Sequence, residues 1–156
     1  MAVDMFLKLD EIEGESKEAK HRGEIEILSF SWGVSNSAKA CGLGGGGGAG
    51  KVSVSDFSIV KRVDSATPQL MRHCVNGKHI SSGMITVRKA GEKPVEYLKI
   101  KLEDILISSA SSGGGGASEP MEQVTLNFTR FEVTNLPSGE TSSFDVCANE
   151  GTIGNH

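Results

Sequence analysis

A glycine-rich stretch at residues 41–53, CGLGGGGGAGKVS, has part of the spacing that binds a phosphate. A P-loop needs a glycine, four further residues, Gly-Lys and then Ser or Thr, so that backbone N–H groups wrap the anion and the hydroxyl binds magnesium. Gly45 to Lys51 matches the first part, but Val52 stands where the hydroxyl should be. The alternation in Val52 to Ser55 predicts a strand, whereas a phosphate site requires a helix there. We interpret the stretch as a connection between two strands.

Three glutamates near the N-terminus could in principle serve acid-base chemistry. Glu11, Glu13 and Glu15 alternate along the chain, and a glycosidase uses two such carboxyl groups. An acid catalyst also needs apolar surroundings that raise its pKa, and none are evident nearby. The pattern favours a solvated acidic face.

A second group, His73, Cys74 and His79, is a conceivable zinc set. Neighbouring residues on a helix point about 100° apart, and a closed structural site needs four ligands at workable spacings. The chain also lacks GxSxG, HExxH and dinucleotide-binding patterns. The sequence therefore predicts no catalytic residue, no metal and no cofactor.

Composition narrows the class of protein. A chain of 156 residues suits one domain, 1–156, with a core of its own. The net charge of −4 argues against nucleic acid, which binds basic surfaces. The N-terminus has charges where a signal peptide has an apolar run, and no stretch reaches the length of a membrane helix. Three cysteines, Cys41, Cys74 and Cys147, without CxxC spacing favour reduced thiols in the cytoplasm.

The strongest structural signal is a period of two. From Leu28 to Ser35, large apolar residues occupy the even positions, and Ser29, Ser31 and Ser35 lie among the odd ones. Successive side chains of a strand point to opposite faces. The segment therefore predicts one strand with an apolar core face and a small, wet, hydroxyl-rich face.

Similar alternation marks the other strands. It predicts an all-β fold, an antiparallel barrel or sandwich of about eight strands. Closing the sheet into a barrel would also remove exposed edges. The remaining predicted strands are Met5–Leu9, Lys51–Val60, Met84–Val87, a strand from Val95, Val124–Val133 and Ser143–Cys147.

One segment, Ser65 to Gly77, breaks the alternation and predicts a short helix. Pro68 suits a first turn, Ser65 or Thr67 can cap, and Gly77 suits a left-handed exit. Helical spacing then predicts two faces. The buried face comprises Leu70, Met71, Cys74 and Val75, and the outward face comprises Gln69, Arg72, His73 and Asn76.

Two glycine-rich segments, 42–51 and 110–119, separate predicted strands. Loops of this length without structure of their own are uncommon in compact domains and are often functional or disordered. We expect both to be flexible loops that order on contact with a partner.

Taken in order, particular motifs resemble the Hcp family, the tube-forming proteins of bacterial type VI secretion systems. The likeness begins with MAVDMFLKLDEIEGESKEAKHRGEIEILSFSWG, including Gly14-Glu15-Ser16, His21 and Ser31-Trp32-Gly33. It continues through Gly50-Lys51, Pro68 to Gly77, TVRKAG, VEYLKIKLEDILISS and VTLNF. The ending FDVCANEG followed by TIGNH departs from the family's usual final strand and basic tail.

The resemblance implies a phage tail-tube-like β-barrel with one flanking helix and no enzymatic activity. It also implies homo-hexameric rings that stack into a tube inside a contractile sheath, with a spike protein of the VgrG type at the tip. The subunit would start in the bacterial cytoplasm and leave without a signal peptide. It would not insert into a membrane, and its tube would shelter and conduct effector proteins.

The same resemblance assigns roles to two sets of residues. Ser29, Ser31 and Ser35 are expected to face the lumen and contact effectors. The long loop after the second strand is expected to reach neighbouring subunits and support ring stacking through Gly42, Leu43, Gly44, Gly45, Gly46, Gly47, Gly48, Ala49, Gly50 and Lys51.

Two alternatives from other classes remain. A monomeric β-module that binds a carbohydrate or peptide would display an exposed aromatic platform, for which Trp32 and Tyr97 are the candidates. An enzyme, alone or as a tube protein fused to a toxin domain, is the other.

Overall fold

The computed structural model describes residues 2–38 and 51–147 and the backbone of 150–155. Within these ranges the chain forms eleven strands and one helix. They are β1 (Val3–Leu9), β2 (Ile25–Ile27), β3 (Ser29–Ser31), β4 (Val34–Asn36), β5 (Val52–Val54), β6 (Phe57–Arg62), α1 (Thr67–Asn76), β7 (Ile80–Lys89), β8 (Val95–Gly115), β9 (Ser118–Asn135), β10 (Glu140–Asp145) and β11 (Glu150–Asn155).

Nine of these strands form one antiparallel sheet that nearly closes on itself. The order is β11-β10-β9-β8-β7-β1-β2, and β3 continues from β2 after the single residue Leu28. β3 pairs with β6, and β6 pairs with β9, a strand in the interior of this order. These pairings connect the β2–β3 end of the sheet back to β9, so that the sheet nearly closes. The predicted all-β, barrel-type fold with one helix is confirmed.

Alternate side chains of these strands fill the barrel. Packing apolar side chains on one face of every strand is what makes period-two sequences fold as closed sheets. The helix α1 packs beside β8 and adds the fully buried Leu70. The main strand contributors to the core are Leu7, Ile25, Phe57, Ile59, Ile85, Ile100, Leu102, Ile105, Ile107, Val124, Leu126, Phe128 and Phe131.

The observed ends of α1 largely agree with those predicted from the sequence, but its observed buried face differs from the predicted one. Pro68 lies in the first turn, and Gly77 ends the helix with φ of 63°, the left-handed conformation that glycine adopts without steric cost. Neither Ser65 nor Thr67 caps the start, where Ala66 occupies the N-cap without a side-chain hydrogen bond. Instead, the Asp64 carboxylate accepts a hydrogen bond from the Ala66 N–H.

The predicted division of the helix surface was wrong at three positions. His73 is buried, whereas Met71 is exposed and Val75 has 84% of its surface exposed. The helix contacts the barrel through a stripe that includes Leu70, His73 and the half-buried Cys74. The Nδ1 of His73 contacts the Gln69 carbonyl at 2.8 Å, which satisfies one ring nitrogen inside the fold.

The strand predicted from Leu28 to Ser35 is two strands. β3 ends at Ser31, and after Trp32 and Gly33 the chain enters β4, which pairs with β5 in a separate two-stranded sheet. Phe30 and Trp32 pack against the core as predicted. Leu28 and Val34 are exposed, because Leu28 lies at the junction of β2 and β3 and Val34 has left the barrel.

The loop predicted at 110–119 is instead the end of a β-hairpin. β8 continues to Gly115 and β9 starts at Ser118, with Ser111 opposite Gln123 and Ser112 opposite Glu122. The glycines adopt strand conformation despite their low strand propensity, because the two long neighbouring strands pair through their backbones up to the turn. Residues 42–50 of the other predicted loop lie outside the described residues.

Candidate functional site

A row of small polar side chains crosses four neighbouring strands on the outer surface of the barrel. Ser31 of β3 lies opposite Ser58 of β6, Ser58 opposite Thr125 of β9, and Thr125 opposite Ser109 of β8. Residues paired in this way project from the same face of a sheet. The four hydroxyl groups therefore lie side by side, and on β6 and β9 the residues next to them along the strand, such as Ile59 and Leu126, are buried in the core.

A parallel row lies two residues along the strands. It pairs Ser29 with Val60, Val60 with Gln123, and Gln123 with Ser111. The Gln123 side-chain amide donates a hydrogen bond of 3.0 Å to the Ser58 hydroxyl and so joins the two rows.

A β-bulge adds one further hydroxyl to this surface. The register between β8 and β9 shifts between Ile107 and Ser109, so Ser108 and Ser109 are both exposed next to Thr125. An extra residue in one strand breaks the alternation and re-aims a side chain. Both serine hydroxyls contact the Thr125 hydroxyl, at 2.7 and 2.6 Å. We name this surface the hydroxyl band, defined as Ser29, Ser31, Ser58, Ser108, Ser109, Ser111, Gln123 and Thr125.

One carboxylate at the margin holds the bulge in place. Asp56, just before β6, accepts a hydrogen bond from Ser108 at 2.7 Å and another from the Asn127 side-chain amide at 3.0 Å. The ionised acceptor is linked to both β8 and β9, and hydrogen bonds to a charged group are stronger than those between neutral groups. Asp56 thereby positions Ser108.

The same two long strands carry a different surface further along. Here β8 and β9 display Lys101, Glu103, Arg130 and Glu132. Glu103 lies 3.4 Å from Lys101 and 3.6 Å from Arg130, and Arg130 lies 3.7 Å from Glu132. The outer surface of the hairpin thus changes from charged here to uncharged at the hydroxyl-band residues of β8 and β9, and it is charged again near the tip, where Glu119 pairs with Arg62 at 2.9 Å.

The three residues predicted to face the lumen lie on two different parts of the structure. Ser29 and Ser31 are exposed members of the hydroxyl band. Ser35 is also exposed, but it lies opposite Ser53 in the separate β4–β5 hairpin, which we call the arm hairpin.

The predicted stacking segment starts and ends at this arm hairpin. Of its members, Lys51 is described, and Gly42 to Gly50 lie outside the described residues. Lys51 is exposed, and its N–H donates to the Ser37 hydroxyl at 2.9 Å, while Ser37 N–H donates to the Lys51 carbonyl. These bonds close the hairpin at the root of the segment.

The predicted site omitted Ser58, Thr125, Gln123 and the serines of β8. A signal was present, since Ser58 alternates with the buried Phe57 and Ile59, and Thr125 with Val124 and Leu126. Alternation shows that such residues face outward. Alternation contains no information on which strands are neighbours. The band could therefore be identified only once the structure gave the strand order.

The residues considered for chemistry are dispersed. Glu15 accepts a hydrogen bond from the Ser65 N–H, and Glu11 forms an exposed ion pair with Lys78 at 3.1 Å. His79 contacts Asp104 at 2.8 Å. Among residues 2–38 and 51–147, no three His, Cys, Asp or Glu side chains are grouped so that they could hold a metal ion.

The aromatic residues proposed for a ligand platform pack against the core. Trp32 is half-buried, with its ring centroid 4.9 Å from that of Phe131 in an edge-on contact and 5.7 Å from that of Phe57. Tyr97 is also half-buried against the core. Both rings therefore contribute to packing in the described structure.

No helix within the described ranges has both the length and the apolar character needed to span a bilayer. The fold and its surface define a small β-barrel protein with a separate two-stranded hairpin and an uncharged patch on its outer face.

Comparison with known proteins identifies the family. The family model described as "Type VI secretion system effector, Hcp" matches residues 6–134. Protein hcp1 of Pseudomonas aeruginosa is 50% identical over 139 residues, which cover 88% of this chain and 85% of that protein. The chain belongs to the Hcp family of type VI secretion system proteins.

Solved structures agree with this assignment. Hcp1 from Salmonella typhimurium has a TM-score of 0.84 at 33% identity, covering 97% of this chain and all of that one. A type VI secretion system effector from Yersinia pestis has a TM-score of 0.74 at 33% identity, with 98% of each chain covered. Hcp proteins are secreted components of the type VI system with a structural, tube-type role.

Proposed function

We propose that this chain is a subunit of the type VI inner tube, that six copies close into a ring, and that the hydroxyl band faces the lumen. The single observation that carries the proposal is the uncharged row from Ser31 across Ser58 and Thr125 to Ser109. The charged surface at Lys101 and nearby residues lies elsewhere on the same hairpin.

The chemistry of the band suits a channel wall. Hydroxyl groups and one amide bind water and one another, and they offer a passing protein neither an apolar patch nor a fixed charge. Effectors of different surface charge would then move through without being held tightly. In this arrangement the tube shelters effectors, lies inside the contractile sheath and carries a spike protein of the VgrG type.

The arm hairpin supports a second part of the proposal, the stacking of rings. Its strands pair with each other and belong to a separate sheet from the barrel, so residues 38 to 51 start and end outside the barrel wall. Glycine permits close approach of two backbones, and ordering of a flexible segment costs entropy that keeps a contact weak. A weak contact would allow rings to assemble and separate, in keeping with a subunit that starts in the cytoplasm and is exported.

The experiment that tests ring closure is native mass spectrometry of the purified protein, with negative-stain images of the same sample. We expect a dominant hexamer and ring-shaped particles. A monomer that persists at high protein concentration would contradict the ring.

The orientation of the barrel within the ring requires a separate measurement. In a regular hexagon the distance between neighbouring vertices equals the radius, so spin labels nearer the axis lie closer together. Pulsed electron spin resonance would compare Ser31→Cys with the matched control Lys101→Cys, each in a chain with Cys41, Cys74 and Cys147 replaced by alanine. We expect the shorter neighbour distance for the label at position 31. A distance at position 31 equal to or longer than that at position 101, in a chain that still forms hexamers, would reject the lumen assignment.

A further inference from the structure

The segment 13–24, between β1 and β2, lies across the outer surface of the barrel, and we call it the strap. It holds its own shape by backbone hydrogen bonds, including Gly14 N–H to the Gly23 carbonyl at 2.8 Å and Ser16 N–H to the Glu24 carbonyl at 3.0 Å. Phe6 is buried but is not part of the barrel core. It is covered because the His21 ring stacks on it, with centroids 4.5 Å apart and planes 6° from parallel.

His21 fastens the strap at both of its ring nitrogens. Nδ1 lies 2.8 Å from Oε2 of Glu24, and Nε2 lies 2.7 Å from Oε1 of Glu96 on β8. An ionised carboxylate only accepts hydrogen bonds, and a neutral imidazole donates from one nitrogen alone. Both contacts are hydrogen bonds when the ring is the imidazolium, and one of them is lost when the extra proton leaves.

Charged groups of several neighbouring elements lie around the ring. Five carboxylates and two cations lie on the elements packed around it. The carboxylates are Glu18 and Glu24 of the strap, Asp4 of β1, Glu26 of β2 beside Phe6, and Glu96 of β8. The cations are Arg88 of β7 and Lys99 of β8.

Arg88 links the strap to the barrel in a different way. Its guanidinium lies 5.0 Å from the centre of the Phe6 ring, 3.1 Å from Glu18 and 3.3 Å from Asp4. Burial alone would lower the pKa of Arg88, but Glu18 and Asp4 raise it overall. Burial alone would raise the pKa of Glu18, but hydrogen bonds from Arg88 and the Lys20 N–H lower it overall. This ion pair therefore stays charged at neutral pH, whereas histidine is the type of side chain that ordinarily changes charge between about pH 5 and about pH 8.

We propose that the strap is a proton-controlled fastening, closed while His21 is an imidazolium and loosened when the ring becomes neutral. Loosening would uncover Phe6 and alter a cleft of about 380 Å³ that Glu15 and Ser16 of the strap line together with Arg62. The barrel itself would keep its pairing, because β1 remains bonded to both β2 and β7. The inference concerns the single chain and holds whether or not rings form.

Hydrogen-exchange mass spectrometry between about pH 6 and about pH 9 tests the fastening. We expect the protection factor of residues 13–24, corrected for the intrinsic exchange rate, to fall about tenfold as the pH rises, since one hydrogen bond to a charged group is lost. In His21→Gln the strap is expected to be weakly protected at every pH, without a step. His79→Gln is the matched control, since that exposed imidazole also contacts a carboxylate, Asp104. It should retain the wild-type pH dependence.

The wild-type protein alone provides a second readout if the His21 variant does not fold. The chemical shifts of the His21 ring and of strap amides, followed by NMR, should change with one common midpoint. Strap protection that stays constant while the ring titrates would overturn the proposal, as would a strap that loosens at a midpoint unrelated to His21.

Discussion

The Nζ of Lys61 lies 2.8 Å from Oε1 of Glu122 inside the barrel, where the two side chains are 0% and 3% exposed. The same ammonium group also donates to Asp64 at 2.7 Å and to the Arg62 carbonyl at 2.9 Å. The second oxygen of Glu122 accepts a hydrogen bond of 2.7 Å from Thr67, in the first turn of α1. This cluster fixes the connection from β6 to α1 against β9.

Replacing Lys61 by methionine is expected to lower the free energy of unfolding by about 3–5 kcal/mol, because it leaves a buried carboxylate without its cation. Urea denaturation at fixed protein concentration measures the change. The exposed pair of Lys78 and Glu11 is the control, and Lys78→Met is expected to cost less than about 1 kcal/mol. The double variant Lys61→Met/Glu122→Gln should lose less than the sum of its two single changes, and strict additivity would show that the pair is not coupled.

Gly14→Ala tests the close packing of the strap. A Cβ at this position would lie 2.5 Å from the Glu24 carbonyl oxygen, which is backbone and cannot turn aside. We expect a loss of about 1–3 kcal/mol, as for other overpacked positions. Gly113→Ala is the control, because a Cβ there meets nothing within 4 Å. Equal stability of the two variants would mean that the strap shifts freely.

The hydrogen bonds to the Asp10 carboxylate predict that the protein loses stability in acid. The Ser81 and Ser82 hydroxyls donate hydrogen bonds to this carboxylate at 2.6 and 2.9 Å and hold the pKa of Asp10 below its ordinary value. A lowered folded-state pKa stabilises the protein above the unfolded value of about 3.9, and the contribution disappears as the pH falls through the folded value.

The double variant Ser81→Ala/Ser82→Ala should therefore be less stable than the wild type at neutral pH and approach it in acid. NMR of the Asp10 carboxyl should show its pKa rising in the variant. Ser142→Ala, at an exposed position of β10, should leave that pKa unchanged. A difference in stability that persists unchanged in strong acid would assign the effect to something other than Asp10.

Shortening the glycine run tests the proposed stacking segment. Deleting Gly45 to Gly47 is expected to leave hexamers intact in native mass spectrometry while reducing stacked tubes in electron micrographs. The reason is that the run starts and ends at the arm hairpin, which belongs to a sheet apart from the barrel wall. Loss of rings and stacks to the same extent would indicate that the segment acts within the ring.

The sequence alone contained most of the fold. Alternation in Met84–Val87 and Val124–Val133 identified strands, and Pro68 and Gly77 marked the two ends of the helix region, because these signals depend on neighbours along the chain. The hydroxyl residues at positions 29 and 31 were also identified as an outward face for this reason. The 110–119 segment was mispredicted because the partner strand, not local propensity, decides whether glycines join a ladder.

Tertiary structure decided which outward faces become one surface. Ser31, Ser58, Thr125 and Ser109 form a row only because β3, β6, β9 and β8 are neighbours in a particular register. Neither strand order nor register can be read from periodicity, since every strand of a barrel alternates in the same way.

The buried polar contacts also depend on the tertiary structure. His21 meets Glu96, 75 residues away, and Lys61 meets Glu122, 61 residues away. A charged residue in an alternating sequence looks like part of a solvated face. Closure of the barrel and the packing of the strap remove it from water, and the free energy of desolvation then requires a partner that only the folded chain can place beside it.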